Sequence, residues 1–278
     1  MIRRLLIPAA IALAAALSAT PAAAHDNWLE VEPFFSATPG KAKVYLLTGE
    51  QFEEAEPLTP RRRERYSKLQ IASSTGTKDA TADLREDTTP LAVLSAGAKS
   101  QGTFVVGLDA APRAIEIAAE KFQDYLLEER LIDMLLYRAG RGQEDTPGRE
   151  RYTRFLKAIV QMGPRLDPVA TQPLGQDLEI VPLSHPYGLA PGAMLSVQVL
   201  FKGKPLAGRA VTASNRLRSN VVKKTLRTDA NGKVNFPIGR VGDWMVRLIH
   251  MEPSAESDVE WRSYWANLTF SLPDPQAR

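Results

Sequence analysis

The sequence predicts a mainly β protein, with two β-sandwich-like modules and a pair of helices inserted between them. Three observations carry this. Short alternating runs of apolar and polar residues recur between residues 27 and 108 and again between 178 and 271. Clusters of Gly, Pro, Asn and Asp separate those runs. Only the stretch between the two groups changes to helical spacing.

In the first half, Asn27 to Val31 reads as a short strand, and Lys41 to Leu47 as a better one, with Val44 and Leu46 alternating against Lys43 and Tyr45. Pro39-Gly40 is the turn between them. Lys68 to Ser73, Leu91 to Val93 and Gly102 to Leu108 complete an N-terminal β domain spanning 25–112. Residues 113–173 form a helical connector, although Pro112 to Ala119 could still close the preceding sheet. Its first helix covers Glu120 to Tyr137, with Phe122, Tyr125, Leu126 and Ile132 near helical spacing. Tyr152, Phe155, Leu156, Ile159 and Val160 mark the second, which Gly163-Pro164 ends. About seven short strands then fill 174–278: Leu178 to Val181, Met194 to Phe201, Arg209 to Asn215, Val221 to Arg227, Lys233 to Phe236, Trp244 to His250 and Trp261 to Ser271. Turns at 203–208 and 229–233 separate some of them, and the spacing suits an immunoglobulin-like or transthyretin-like sandwich.

Residues 1–24 have the layout of a secretory signal peptide. Arg3 and Arg4 precede an apolar run from Leu5 to Leu17, and Ala22-Ala23-Ala24 supplies a small-residue cleavage site. The run is shorter than the roughly 20 residues of a membrane span, so the mature chain is expected to be exported without stable membrane insertion. The sequence contains no cysteine, which excludes disulfides, thiolate metal sites, thiol nucleophiles and a lipid-anchored junction. A periplasmic location fits these features. Without residues 1–24 the charge is nearly balanced, 33 basic against 32 acidic side chains, and no aromatic-lined basic stripe favours nucleic acid. The densest basic patch, Arg61-Arg62-Arg63, follows an acidic run from Glu50 to Glu56 that can neutralise it.

Chemistry-bearing residues are few. Cleavage after Ala24 would leave His25 at the amino terminus, where its amine and imidazole can grip one metal together. Of the two other histidines, His250 ends a strand and shares a face with Trp244, Val246 and Leu248, which suits either a rim ligand or a core-edge residue. His185, between Ser184 and Pro186, reads more simply as a loop or junction residue than as a ligand. Asp26 is a candidate oxygen ligand beside His25, and Met194, Met245 and Met251 are soft donors that strands usually bury. There is no Gly-x-Ser-x-Gly turn, Walker loop, dinucleotide fingerprint or zinc-protease helix. Trp261, Tyr264 and Trp265 could stack on sugar rings if they shared an exposed groove, while their alternation reads more simply as core packing.

Several fragments, in this order along the chain, resemble the DUF4198 family of exported proteins. They are His25 to Glu30, Glu120 to Leu126 with Glu128-Glu129, Gly148 to Phe155, Leu178 to Leu183, Gly203 to Gly208, and Trp261 to Phe270. Some members of the family are described as periplasmic components of nickel or cobalt uptake systems. The resemblance implies an accessory that handles a transition metal beside a membrane metal transporter, with His25 and His250 as the carried-over ligand positions. The expected metals are nickel, cobalt or copper, bound by His25 and His250, with His185 and Asp26 as further candidates. A copper-dependent redox enzyme built on the same amino-terminal brace is the catalytic alternative. A structural or carbohydrate-binding sandwich is the third reading.

Overall fold

The computed structural model describes residues 26–50, 52, 56–57, 63–84, 89–190, 192–238 and 241–273. The first strands are β1 (Asp26–Glu32), β2 (Phe35–Ser36), β3 (Lys41–Gly49), β4 (Glu56–Pro57), β5 (Tyr66–Ser73) and β6 (Gly76–Asp79). β7 (Ala92–Ser95), β8 (Gly102–Ala110) and β9 (Arg113–Ile117) lead into helices α1 (Ala119–Glu128) and α2 (Ile132–Ala139). β10 (Gly148–Met162), β11 (Leu178–Pro182), β12 (Met194–Phe201), β13 (Lys204–Pro205) and β14 (Ala210–Leu217) follow. The chain continues through β15 (Asn220–Arg227), β16 (Lys233–Pro237), β17 (Gly242–Pro253) and β18 (Trp261–Leu272).

One ten-stranded sheet runs through both halves in the order β15-β14-β17-β18-β10-β8-β5-β6, with β2 and β9 also paired to β10. A smaller sheet joins β1, β3, β4 and β7, and another joins β11, β12, β13 and β16. Most neighbours are antiparallel, but β10 and β18 run parallel from Glu150↔Trp261 to Ala158↔Thr269. The side-chain period of two then sorts the cores. Leu156, Ala158, Val160 and Met162 face β1 and β3, in a core with Leu29, Val44 and Leu46. Phe155 and Ile159 face the opposite way, into a core with Ile180, Val197 and Leu248. The two small sheets therefore cover opposite faces of one shared sheet, and β10 is the strand common to both sandwiches.

The sandwich architecture and the presence of two helices agree with the sequence-based expectation, but the second predicted helix is a strand. Residues 152–160 lie within β10, and both helices come from the first helical segment. β10 is buried on both faces along most of its length, so apolar residues occur at consecutive positions and their alternation is lost. The candidate closing strand at Pro112 to Ala119 is present as β9.

The amphipathic face of α1 buries Phe122, Tyr125 and Leu126. With Met134 of α2 they pack on Ile249, Met251, Trp261 and Trp265 of the shared sheet. The chain reverses after α1 through Arg130, at φ 56°, while the Leu131 N–H donates to the Leu126 carbonyl at 2.8 Å. α1 sits so closely on the start of β10 that a Cβ added at Gly148 would lie 2.4 Å from the buried Phe122 ring. Gly148→Ala is thus expected to destabilise the protein by about 1–3 kcal/mol through overpacking, measured as a lower urea midpoint at unchanged slope. Among the described residues no helix is long and apolar enough to cross a membrane.

Candidate functional site

The sequence points to the residues around His25 and Asp26, and from Asp26 onward β1 is firmly held. Asp26 pairs with Gly49 of β3, and β1 lies across β18, where Asn267 donates to the Asn27 carbonyl at 2.6 Å and Thr269 to the Leu29 carbonyl at 2.6 Å. The Asp26 carboxylate is buried and accepts from Arg247 Nε at 3.1 Å. Arg247 Nη2 donates in turn to Glu129 Oε1 at 2.6 Å, at the end of α1. Two carboxylates thus hold the buried Arg247 guanidinium charged, against a burial that alone would lower its pKa. Burial also raises the Glu129 carboxyl, and Arg247 opposes that rise. An oxygen of Asp26 offered to a metal would have to share or leave Arg247. His25 lies outside the described residues.

His250 is on the other side of the sheet. β17 pairs with β18 without a break from Gly242↔Leu272 to Pro253↔Trp261, so side chains three apart point to opposite faces. Arg247 points toward Asp26 and α1, while His250 follows Trp244, Val246 and Leu248 toward the C-terminal core, as its period predicts. The strand does not end at His250 but continues to Pro253, so the residue is interior to the strand rather than at a rim. The ring is 6% exposed, meets Phe201 edge-on at 4.4 Å and stacks with Tyr264 at 6.2 Å. Its Nδ1 is buried without a hydrogen bond among the described residues. Burial drives its pKa down to about 4, helped by the charges of Arg209 and Lys202 and opposed by the carboxylates of Glu252 and Asp133. These surroundings favour a neutral ring. The structure brings Asp26 to one face of the shared sheet and His250 to the other.

His185 belongs to a polar joint. Its Nδ1 accepts from the Tyr187 N–H at 3.3 Å, and its Nε2 lies 2.8 Å from Thr103 Oγ1. Thr103 already donates its hydroxyl proton to Gln161 at 2.8 Å and accepts from the Asp167 N–H at 3.0 Å. Nε2 must therefore carry the ring proton and donate, which leaves neither ring nitrogen open to a metal. Burial lowers the His185 pKa, and Asp167 opposes that change.

Met245 and Met251 are core residues, whereas Met194 is 48% exposed. Trp261, Tyr264 and Trp265 are 1%, 2% and 7% exposed. Trp261 and Trp265 pack under the helices, and Tyr264 packs in the C-terminal core, so they form no shared groove for a sugar. Arg61 and Arg62 lie outside the described residues, and Arg63 opens a 3-10 turn. Among the described residues no group of three or more His, Cys, Asp or Glu is placed to hold a metal. The Arg247 ion-pair relay escaped the reading of residue types. Its signal was a lone arginine inside the apolar run Trp244 to Ile249, because a charge there needs buried partners.

The family model described as "Domain of unknown function (DUF4198)" matches residues 22–252. No curated protein matches the chain. Among solved structures, a two fibronectin type-III domain segment from chicken tenascin aligns at 12% identity, over 86% of this chain and 98% of that one, with a TM-score of 0.19.

Proposed function

The chain belongs to the DUF4198 family, and on that premise we propose that it is an exported, periplasmic, non-enzymatic transition-metal-binding accessory that passes nickel or cobalt to a membrane uptake system. The metal is held by the amine and imidazole of His25, freed by cleavage after Ala24. The observation that supports this is the anchoring of the next residue. Asp26 is fixed by its pairing in β1 and by its ion pair with Arg247, so a chelating group at position 25 is attached to a rigid support. His250 and His185 stand outside the ligand set. With only two protein nitrogens, exchangeable positions remain on the metal, which suits handover rather than storage. Binding is preferred over copper redox catalysis because a brace needs a second imidazole, while His250 lies on the sheet face opposite Asp26 and both ring nitrogens of His185 are hydrogen-bonded.

Intact mass and calorimetric titration with Ni²⁺, Co²⁺ and Cu²⁺ test this reading. His25→Ala, or retention of Ala24 at the terminus, is expected to weaken binding by at least about 100-fold, beyond the usual loss of an outer-shell partner. His250→Ala should leave it unchanged. Affinity should rise with pH toward about 8 as the amine deprotonates. A mature chain beginning at Asn27 or later, or wild-type affinity in His25→Ala, overturns the proposal.

A further inference from the structure

A polar cavity of about 140 Å³ lies between the carboxyl end of α1 and the face of the shared sheet formed by β14, β15 and β17. At the roughly 30 Å³ that a water takes in the liquid, it has room for about five heavy atoms. Glu128, Glu129 and Arg130 form one wall, and Thr212, Ser214 and Thr225 the other. Strand register sets the second wall. Thr212 pairs with Thr225 on one side and with Arg247 on the other, so these side chains, and Ser214 two residues on, share the face that Arg247 turns toward α1. Two ion pairs hold the first wall over that face, Arg247 to Glu129 at 2.6 Å and Arg209 to Asp133 at 2.6 Å, one on each side of the turn between α1 and α2.

Within that frame several polar groups are uncommitted. The Thr212 and Thr225 hydroxyls lie 2.8 Å apart, and because only one of them donates to the other, one proton is left to donate elsewhere. Ser214 is 1% exposed, and its hydroxyl has no hydrogen-bond partner among the described residues. A buried hydroxyl on a polar cavity calls for a partner inside it. The side chains of Glu128 and Arg130 are exposed and make no ion pair among the described residues. Glu129 gives one carboxylate oxygen to Arg247 and keeps the other. Lys223 and Arg247 also border the cavity, each engaged by a partner of its own.

We propose that this cavity binds a small zwitterion, an α-amino acid of the size of glycine or alanine. An anion alone would meet Glu128 and Glu129, and a cation alone would meet Arg130. A ligand with both charges satisfies both. Its ammonium lies against the two carboxylates, where the carboxyl end of α1 adds partial negative charge. Its carboxylate accepts from Arg130 and from the hydroxyls of Ser214 and the threonine pair. A long side chain has no room. This site is independent of the proposed metal site.

Calorimetry of the mature chain tests it with glycine, L-alanine, L-leucine, acetate and methylammonium, after a chelating resin has removed any metal through which an amino acid could bind. Glycine and alanine should bind with a Kd of about 1 mM or tighter, and the other three at least about ten-fold more weakly. Ser214→Ala, Arg130→Gln and Glu128→Gln should each weaken glycine binding by about ten-fold, with unchanged circular dichroism. Arg130→Lys should recover part of the loss. Lys224→Gln, on the opposite face of β15, and His25→Ala should bind glycine like wild type. Absence of glycine and alanine binding at about 10 mM overturns the site, as does wild-type affinity in all three variants. Acetate or methylammonium binding as tightly as glycine overturns the zwitterion, and leucine binding as tightly overturns the limit on size.

Discussion

Glu179→Ala is expected to lower the free energy of unfolding by about 3–5 kcal/mol, the usual cost of leaving a buried charge unpaired. Lys157 of β10 and Glu179 of β11 form an ion pair between the shared sheet and the C-terminal sheet, with side chains 2% and 1% exposed. Lys157 Nζ also donates to the Ile180 carbonyl at 3.1 Å. Glu179 accepts from the N–H groups of Leu174 at 2.5 Å, Gly175 at 3.0 Å and Gln176 at 3.2 Å. Alanine would orphan those three donors and leave a buried ammonium with one carbonyl. Lys157→Met should cost less, because the carboxylate keeps its backbone donors. Lys157→Met combined with Glu179→Gln should unfold closer to wild type than Glu179→Ala, since glutamine still offers an oxygen to the loop. Urea unfolding of the four proteins checks the order. A Glu179→Ala loss below about 1 kcal/mol would make the pair no stronger than a surface one and refute its role as a bridge.

That ion pair also explains why β10 was hidden in the sequence. Arg154, Lys157 and Gln161 are polar at positions that a helix would place on one face, with Phe155, Leu156, Ile159 and Val160 on the other. In the fold, Lys157 and Gln161 are buried, one satisfied by Glu179 and the other by Thr103 and the carbonyls of Gly163 and Arg165. Their polarity marks partners elsewhere in the chain, not solvent. The strands of the C-terminal half were easier to read. β16, with Val234 and Phe236 buried between exposed Lys233, Asn235 and Pro237, keeps the alternation of a sheet with one wet face.

The candidate site divides along the same line. Period two correctly grouped His250 with Trp244, Val246 and Leu248, because that is a local property of one strand. What lies on the opposite face is not local. Asn27 meets Asn267, and Leu29 meets Thr269, each across 240 residues, and those contacts bring the chain's beginning to the face of Arg247. Residue type identified the histidines as chemistry-bearing groups, but the surroundings of each ring depend on the assembled sheets.

His250→Phe is expected to remove about 3 kcal/mol of acid sensitivity. Burial, with the charges of Arg209 and Lys202, pushes the folded ring from its ordinary 6.5 down to about 4, against the carboxylates of Glu252 and Asp133. Below about pH 6.5 the unfolded chain takes up a proton that the folded protein refuses, so this contribution is fully present above that pH and is lost as pH falls toward 4. Buried carboxyls act in the opposite sense: Glu150, pushed up to about 6 by burial, adds stability as pH falls through the same range. The absolute curve therefore mixes both effects, and the difference between the two proteins isolates His250. Phenylalanine keeps an aromatic ring between Phe201 and Tyr264 and removes the unbonded Nδ1, so the variant should be near wild type at pH 7.5 and clearly more stable at pH 4. Urea unfolding at several pH values measures that difference. A constant offset across the range would mean that the buried ring accepts its proton as readily as the unfolded one, and the account of its surroundings would fail.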